Sequence, residues 1–62
     1  MTKAEVKALR ERSGLTQHAF AYRLGVTVDA VRHWEAGRRT PSKRMIDKLV
    51  RLSDELDKEA AA

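Results

Sequence analysis

The densest chemistry in this chain of 62 residues is cationic. Arg38, Arg39, Lys43 and Arg44 stand close together around one proline, Pro41. Such groups bind anions: guanidinium forks onto phosphate or carboxylate, and ammonium acts as a point charge. The charge is also unevenly spread. Residues 1–44 hold ten basic and four acidic side chains, whereas residues 45–62 hold three basic and five acidic. Any small helical protein is laced with solvated charge. A basic body with an acidic end, however, suits a surface that meets a polyanion with its tail turned away.

Other chemistries are missing. His18 and His33 lie on different elements, with no carboxylate at metal-ligand spacing, and the chain has no Cys. There is no Ser/His/Asp set, glycine-rich phosphate loop or H-E-x-x-H. No enzymatic activity, metal or other cofactor is expected. No apolar run approaches the ~20 residues of a membrane span, and the segment Met1–Glu5 lacks the apolar core of a signal peptide. The expected compartment is the cytoplasm. A chain this short buries only ~60% of its extended surface, so one domain over 1–62 is expected. Its hydrophobic share of 42% exceeds that of a disordered tail. Without disulfides, helix packing must hold it together.

The elements that would position the cations follow from local signals. Thr2-Lys3-Ala4-Glu5 fits a capping box, so a first helix runs to about Ser13 with Gly14 at its end. Val6 and Leu9 mark its inner stripe, and Leu15 reads as a buried connector. Thr16 caps a second helix, Gln17 to Leu24, with Phe20, Ala21 and Leu24 on one face. Thr27 caps a third, Val28 to about Ala36, with Val31 and Trp34 inward and Gly37 closing it. Tyr22 falls off the apolar face and is expected at the surface. Ser42 caps a fourth helix to about Lys58, whose apolar stripe is Met45, Ile46, Leu49, Val50, Leu52 and Leu56. No strand pattern appears. The fold class is all-α: a compact bundle of four helices, or five if the last one breaks, with its core over about 2–52 and an extension to about 58.

Only Gly25, Val26 and Thr27 separate the two middle helices. So short a connection forces a steep crossing, as in a helix-turn-helix. Ala21 is small enough for the close contact, and Gly25 permits the turn. Leu15-Thr16-Gln17, Phe20-Ala21, Leu24-Gly25-Val26, Val31, Trp34-Glu35, Gly37, Arg39 and Pro41-Ser42, in that order, resemble the Cro/phage-repressor helix-turn-helix domain, the lambda-repressor-like or xenobiotic-response-element type. The resemblance covers about residues 5–52. It departs in one respect: many members have five short helices, whereas the stretch after Ser42 has no Gly or Pro break.

The resemblance implies double-stranded DNA as the partner, with the helix from Val28 entering the major groove by its N-terminal end. The base-reading positions would be Thr27, Val28, Asp29, Ala30 and His33, with Arg32 a further candidate. Val28 and Ala30 can offer only apolar contact, Asp29 can accept from cytosine N4, and His33 can donate or accept at a purine edge. Asp29 equally suits the helix dipole, and Val28 equally suits the core. Phosphate contacts would fall to Gln17 and the amides near it, and to Arg38, Arg39, Lys43 and Arg44, with Arg23 weaker. Arg39 could instead brace its loop. The resemblance also implies an ion pair between Arg10 and Glu35; the local alternative is Glu35 with Arg32, Arg38 or Arg39. Trp34 and Phe20 read as core rather than as base stackers.

One reading helix covers few base pairs, so a two-fold dimer on a pseudo-palindrome is expected, with half-sites ~34 Å apart. The spare apolar surface for it is at the far end of the last helix: Val50, Leu52 and Leu56, of which Leu52 equally suits the core and Leu56 lies past the bundle, where a partner helix could cover it. The reading is thus a DNA-binding transcriptional regulator, bacterial or phage in origin and nucleoid-associated. Repression by occlusion is the default, because no effector domain is read in the chain. The competing reading is an antitoxin or accessory module that holds a protein partner, for which Asp54 to Glu59 is the available segment.

Overall fold

Four hydroxyl side chains start four helices. The computed structural model describes residues 1–61 and gives α1 Lys3–Ser13, α2 Gln17–Leu24, α3 Val28–Ala36 and α4 Lys43–Ala61, with no strand among them. Thr2, Thr16, Thr27 and Ser42 each accept a bond from the backbone N–H three residues on, at 3.2, 3.1, 3.2 and 3.2 Å. Each satisfies one of the donors that a helix start leaves unpaired. At α1 the capping box is complete, because Glu5 accepts from the Thr2 N–H at 3.0 Å.

The turn between α2 and α3 rests on Gly25, which lies in the left-handed region at φ +74. Its N–H bonds to the Tyr22 carbonyl and the Val26 N–H bonds to that of Ala21. Two of the open carbonyls at the end of α2 are thereby satisfied, and the chain turns directly into the Thr27 cap. Gly14 and Gly37 end α1 and α3 in the same conformation.

α3 packs against both α2 and α1, and α4 packs against α1. Between them lie Val6, Leu9, Phe20, Ala21, Leu24, Val31, Trp34, Leu49 and Leu52, and among the described residues no polar or charged residue is enclosed as a whole, although the Glu35 side chain is only 7% exposed. Phe20, Leu49, Val6 and Val31 are fully enclosed, each worth roughly 1.5–3 kcal/mol of burial. Tyr22 points outward and is 90% exposed.

The structure corrects three expectations. Leu15 is half-buried rather than buried, because it sits where the chain crosses the rim of the core. Leu52 is core, 5% exposed, and so is not available to a dimer surface. The fourth helix continues past Lys58 to Ala61, since nothing after it breaks a helix and alanine has the highest helix propensity. No fifth helix forms. Beyond Leu52 the extension lies against the bundle: Leu56 packs on the core, Arg12 reaches Ser53 and Asp57, and Arg23 reaches Glu55. Among the described residues no helix is long and apolar enough to cross a membrane.

A Cβ at Gly25 would meet nothing within 4 Å. The cost of Gly25→Ala is therefore conformational, about 1–2 kcal/mol. Gly25→Asn is expected to cost less, because asparagine tolerates this region better. Urea unfolding of the two variants checks the order; a neutral Gly25→Ala would mean the turn is not held in the left-handed well.

Candidate nucleic-acid interface

α3 turns Val31 and Trp34 inward, which leaves Asp29, Arg32 and His33 on its outer side. Asp29 and Arg32 are exposed and pair with each other, Oδ1 to Nη1 at 3.3 Å. Val28 and Ala30 flank them, half-buried and packed on the core, so each offers only part of its surface. Thr27 is exposed, its hydroxyl oxygen engaged as the cap. His33 is half-buried, and its Nδ1 is closed off from solvent without a hydrogen-bond partner.

The cationic loop stands beside this face. The His33 carbonyl accepts from the N–H of Arg38 at 3.0 Å and of Arg39 at 3.4 Å, so the end of α3 fixes where the loop begins. Pro41 is buried and anchors the loop's far end, just before Ser42 caps α4. Between α3 and the loop is a cleft of about 460 Å³, bordered by Thr27, Asp29, Ala30 and His33 on one side and Arg39, Thr40 and Ser42 on the other. Arg38, Arg39, Lys43 and Arg44 are exposed and enter none of the ion pairs among the described residues.

Arg10 and Glu35 lock the face from behind. Arg10 forks onto the carboxylate, Nε to Oε2 at 2.7 Å and Nη2 to Oε1 at 3.0 Å, and its Nη1 donates to the Leu15 carbonyl at 3.1 Å. The side chains are 17% and 7% exposed. Gln17 adds a longer bond, Nε2 to Glu35 Oε1 at 3.4 Å. One carboxylate at the end of α3 therefore gathers the end of α1 and the start of α2. Burial pushes the Glu35 pKa up. Bonds from Arg10 and Gln17, with the charges of Arg10 and Lys7, outweigh it, and the group lies below the usual carboxylate range. The Arg10 guanidinium is raised in turn by its bond to Glu35.

The structure does not bring every candidate together. Gln17 is half-buried and donates one amide N–H to Glu35, which leaves its second amide N–H and the nearby backbone N–H groups for an anion. Arg23 is occupied elsewhere: its Nη2 meets Glu55 at 3.3 Å, in a groove against α4 away from the cleft. Two residues near the face carry no signal in the sequence. Thr40 lines the cleft but is an ordinary loop threonine by type and spacing. Lys3 lies across the end of α3, its Cδ 3.1 Å from where a Gly37 Cβ would stand. That contact depends on how α1 crosses α3 and is not a local property.

Two short helices joined at a left-handed glycine, with the second displaying its first turns beside unpaired cations, define a helix-turn-helix domain, a class of DNA-binding regulators. A family model described as a helix-turn-helix domain matches residues 4–62, and the chain belongs to that family. The match is consistent with the Cro/phage-repressor type. Neither the curated proteins nor the solved structures give a significant match to the chain.

Removing one partner of a buried pair strands the other. Glu35→Ala is expected to cost about 3 kcal/mol, and a loss below ~0.5 kcal/mol would mark the pair as energetically exposed. The pH dependence follows from the lowered pKa of Glu35. Its contribution is complete above the unfolded value of about 4.3 and is lost as pH falls through the lower folded value. Glu5, lowered by its bonds to the Thr2 backbone and side chain, adds in the same sense. Acid unfolding followed by circular dichroism should begin below about pH 4.3, and Glu35→Gln should flatten that slope.

Proposed function

We propose that this chain is a sequence-specific double-stranded DNA-binding transcriptional regulator, a repressor that occludes a pseudo-palindromic site as a homodimer. The observation that carries the reading is the outer face of α3 sharing one cleft with the loop that follows it, where Arg39 lines the wall, while Arg38 in that loop and Lys43 and Arg44 at the start of α4 are exposed and enter no ion pair among the described residues. The residues act as one DNA-binding domain over 1–62. α3 enters the major groove, where Asp29, Arg32 and His33 reach base edges, Thr27 stands at the groove's rim, and Val28 and Ala30 offer small apolar contact. Arg38, Arg39, Lys43 and Arg44 hold phosphates on one side. The start of α2, with Gln17 and its neighbouring N–H groups, holds one on the other. Arg23 is a weak contributor, since it would have to leave Glu55.

The dimer surface proposed is the outer side of α4 around Val50, 44% exposed, with the uncovered part of Leu56. The site of action is the bacterial or phage-infected cytoplasm, on DNA. The protein-holding alternative would use the acidic end of α4. Arg12 and Arg23 already engage Asp57 and Glu55 there, which weighs against it.

Selection of bound duplexes from a random library supplies the site for the tests. Affinity for it should fall steeply with salt as counterions are released. Arg38→Ala should weaken all duplexes alike and reduce the slope of log K against log salt by about 1. Binding that ignores salt, or an empty selection, would count against the reading. Sedimentation of the complex should give two chains per pseudo-palindrome, falling to one with Val50→Glu; a single wild-type chain per site would remove the dimer.

A further inference from the structure

Among the described residues, the one buried side-chain nitrogen or oxygen without a partner is Nδ1 of His33. It sits on the proposed reading face, not in the core. The ring's other nitrogen, Nε2, is neither closed off in this way nor hydrogen-bonded to any described residue. The polar groups that share the cleft do not reach either nitrogen: Asp29 is bonded to Arg32, and the Ser42 hydroxyl oxygen is taken by the Met45 N–H.

This asymmetry sets which tautomer the ring adopts. A neutral imidazole has one N–H donor and one lone-pair acceptor, and the environment of each nitrogen decides between them. A proton on Nδ1 would be a buried donor with no acceptor and no access to water. Orphaned buried N–H groups are rarer than under-used acceptors, because the donor loses its only bond. With the proton on Nε2, the closed-off position holds only an unused lone pair, and the donor faces outward.

We infer that His33 is a donor-only reader, presenting Nε2–H to the groove and selecting a guanine. In the major groove guanine offers two neighbouring acceptors, N7 and O6. Adenine sets its N6 amino donor beside N7, thymine sets its bulky C5-methyl beside its single acceptor O4, and cytosine offers only a donor, which Nε2–H cannot accept. A lone outward donor is therefore best matched by a G·C pair with guanine toward it. The inference rests on the proposed DNA reading and narrows it: the ambivalent histidine becomes a fixed donor.

The test has an arm without DNA. Long-range proton–nitrogen NMR of the free protein at neutral pH should show His33 with Nε2 protonated and Nδ1 bare; the reverse overturns the inference. In library selections, His33→Ala should lose one column of the consensus, and that column should be a G·C pair. In the wild-type site, 7-deazaguanine, which lacks N7, or 2-aminopurine, which lacks O6, at that guanine should lower affinity about fivefold. His33→Ala should not respond to either base. A lost A·T column, no lost column, or indifference of the wild-type protein to both analogues overturns the guanine assignment. Should the variant not fold, the tautomer and both analogue measurements use wild-type protein and still decide. If the wild-type chain enriches no duplex at all, the DNA reading itself falls and takes this inference with it. Ordinary DNA binding with the proton on Nδ1 overturns this inference alone.

Discussion

The carboxylate of Glu35 is the point that the arrangement cannot do without. It is buried at the end of α3, and a charge there needs a partner. Arg10 supplies a two-pronged one from α1 and spends its remaining nitrogen on the Leu15 carbonyl, just ahead of α2. Gln17 completes the set from α2 itself. Three elements thus meet on one group. A buried pair of this kind contributes little net stability against an apolar replacement. What it contributes is orientation: the bidentate fork fixes both distance and angle. The start of α2 and the outer face of α3 are both set relative to the same carboxylate, and both flank the proposed groove.

Charge placement follows from the same geometry. The loop after Gly37 starts from the His33 carbonyl and runs alongside the outer face of α3, and Arg38 and Arg39 in it enter no ion pair among the described residues. Two acids of the distal α4, Asp57 and Glu55, pair instead with Arg12 and Arg23 on the other helices. These exposed pairs are worth little individually. They keep negative charge off the cationic side, so the chain's modest net charge of +4 understates the local field.

How much was legible depended on the range of the interaction. The starts and turns of the helices are set within three or four residues. Thr16 with Ala19, Thr27 with Ala30 and Gly25 with Tyr22 could be read directly, and the four helices followed. Arg10 and Glu35 are 25 residues apart; composition or spacing alone would not have joined them, and the resemblance did. The Gln17 bond to Glu35, the path of Lys3 past Gly37 and the capture of Arg23 by Glu55 depend on helix crossings that local signals do not encode. Leu52 shows how far spacing reaches within one helix. Leu49, Leu52 and Leu56 repeat at 3–4 spacing, whereas Val50 falls on the other side of the helix from Leu52, and the structure encloses Leu52 and leaves Val50 open.

The reading face itself combines two kinds of side chain. Asp29 and Arg32 are exposed and hold each other in a pair that costs ~0–1 kcal/mol to open. In the proposed complex either can exchange its partner for a base or a phosphate, and so each can adapt. His33 has no such freedom. Its ring is half-buried, its carbonyl anchors the backbone of Arg38 and Arg39, and one of its nitrogens is sealed. In the proposed complex Val28 and Ala30, short and partly covered, would let the helix backbone come close to the groove floor, where a long side chain would hold it off. A rigid donor on a closely seated helix discriminates through the penalty of a wrong partner, because it cannot swing away from one. The adaptable pair beside it can supply affinity without demanding the same accuracy.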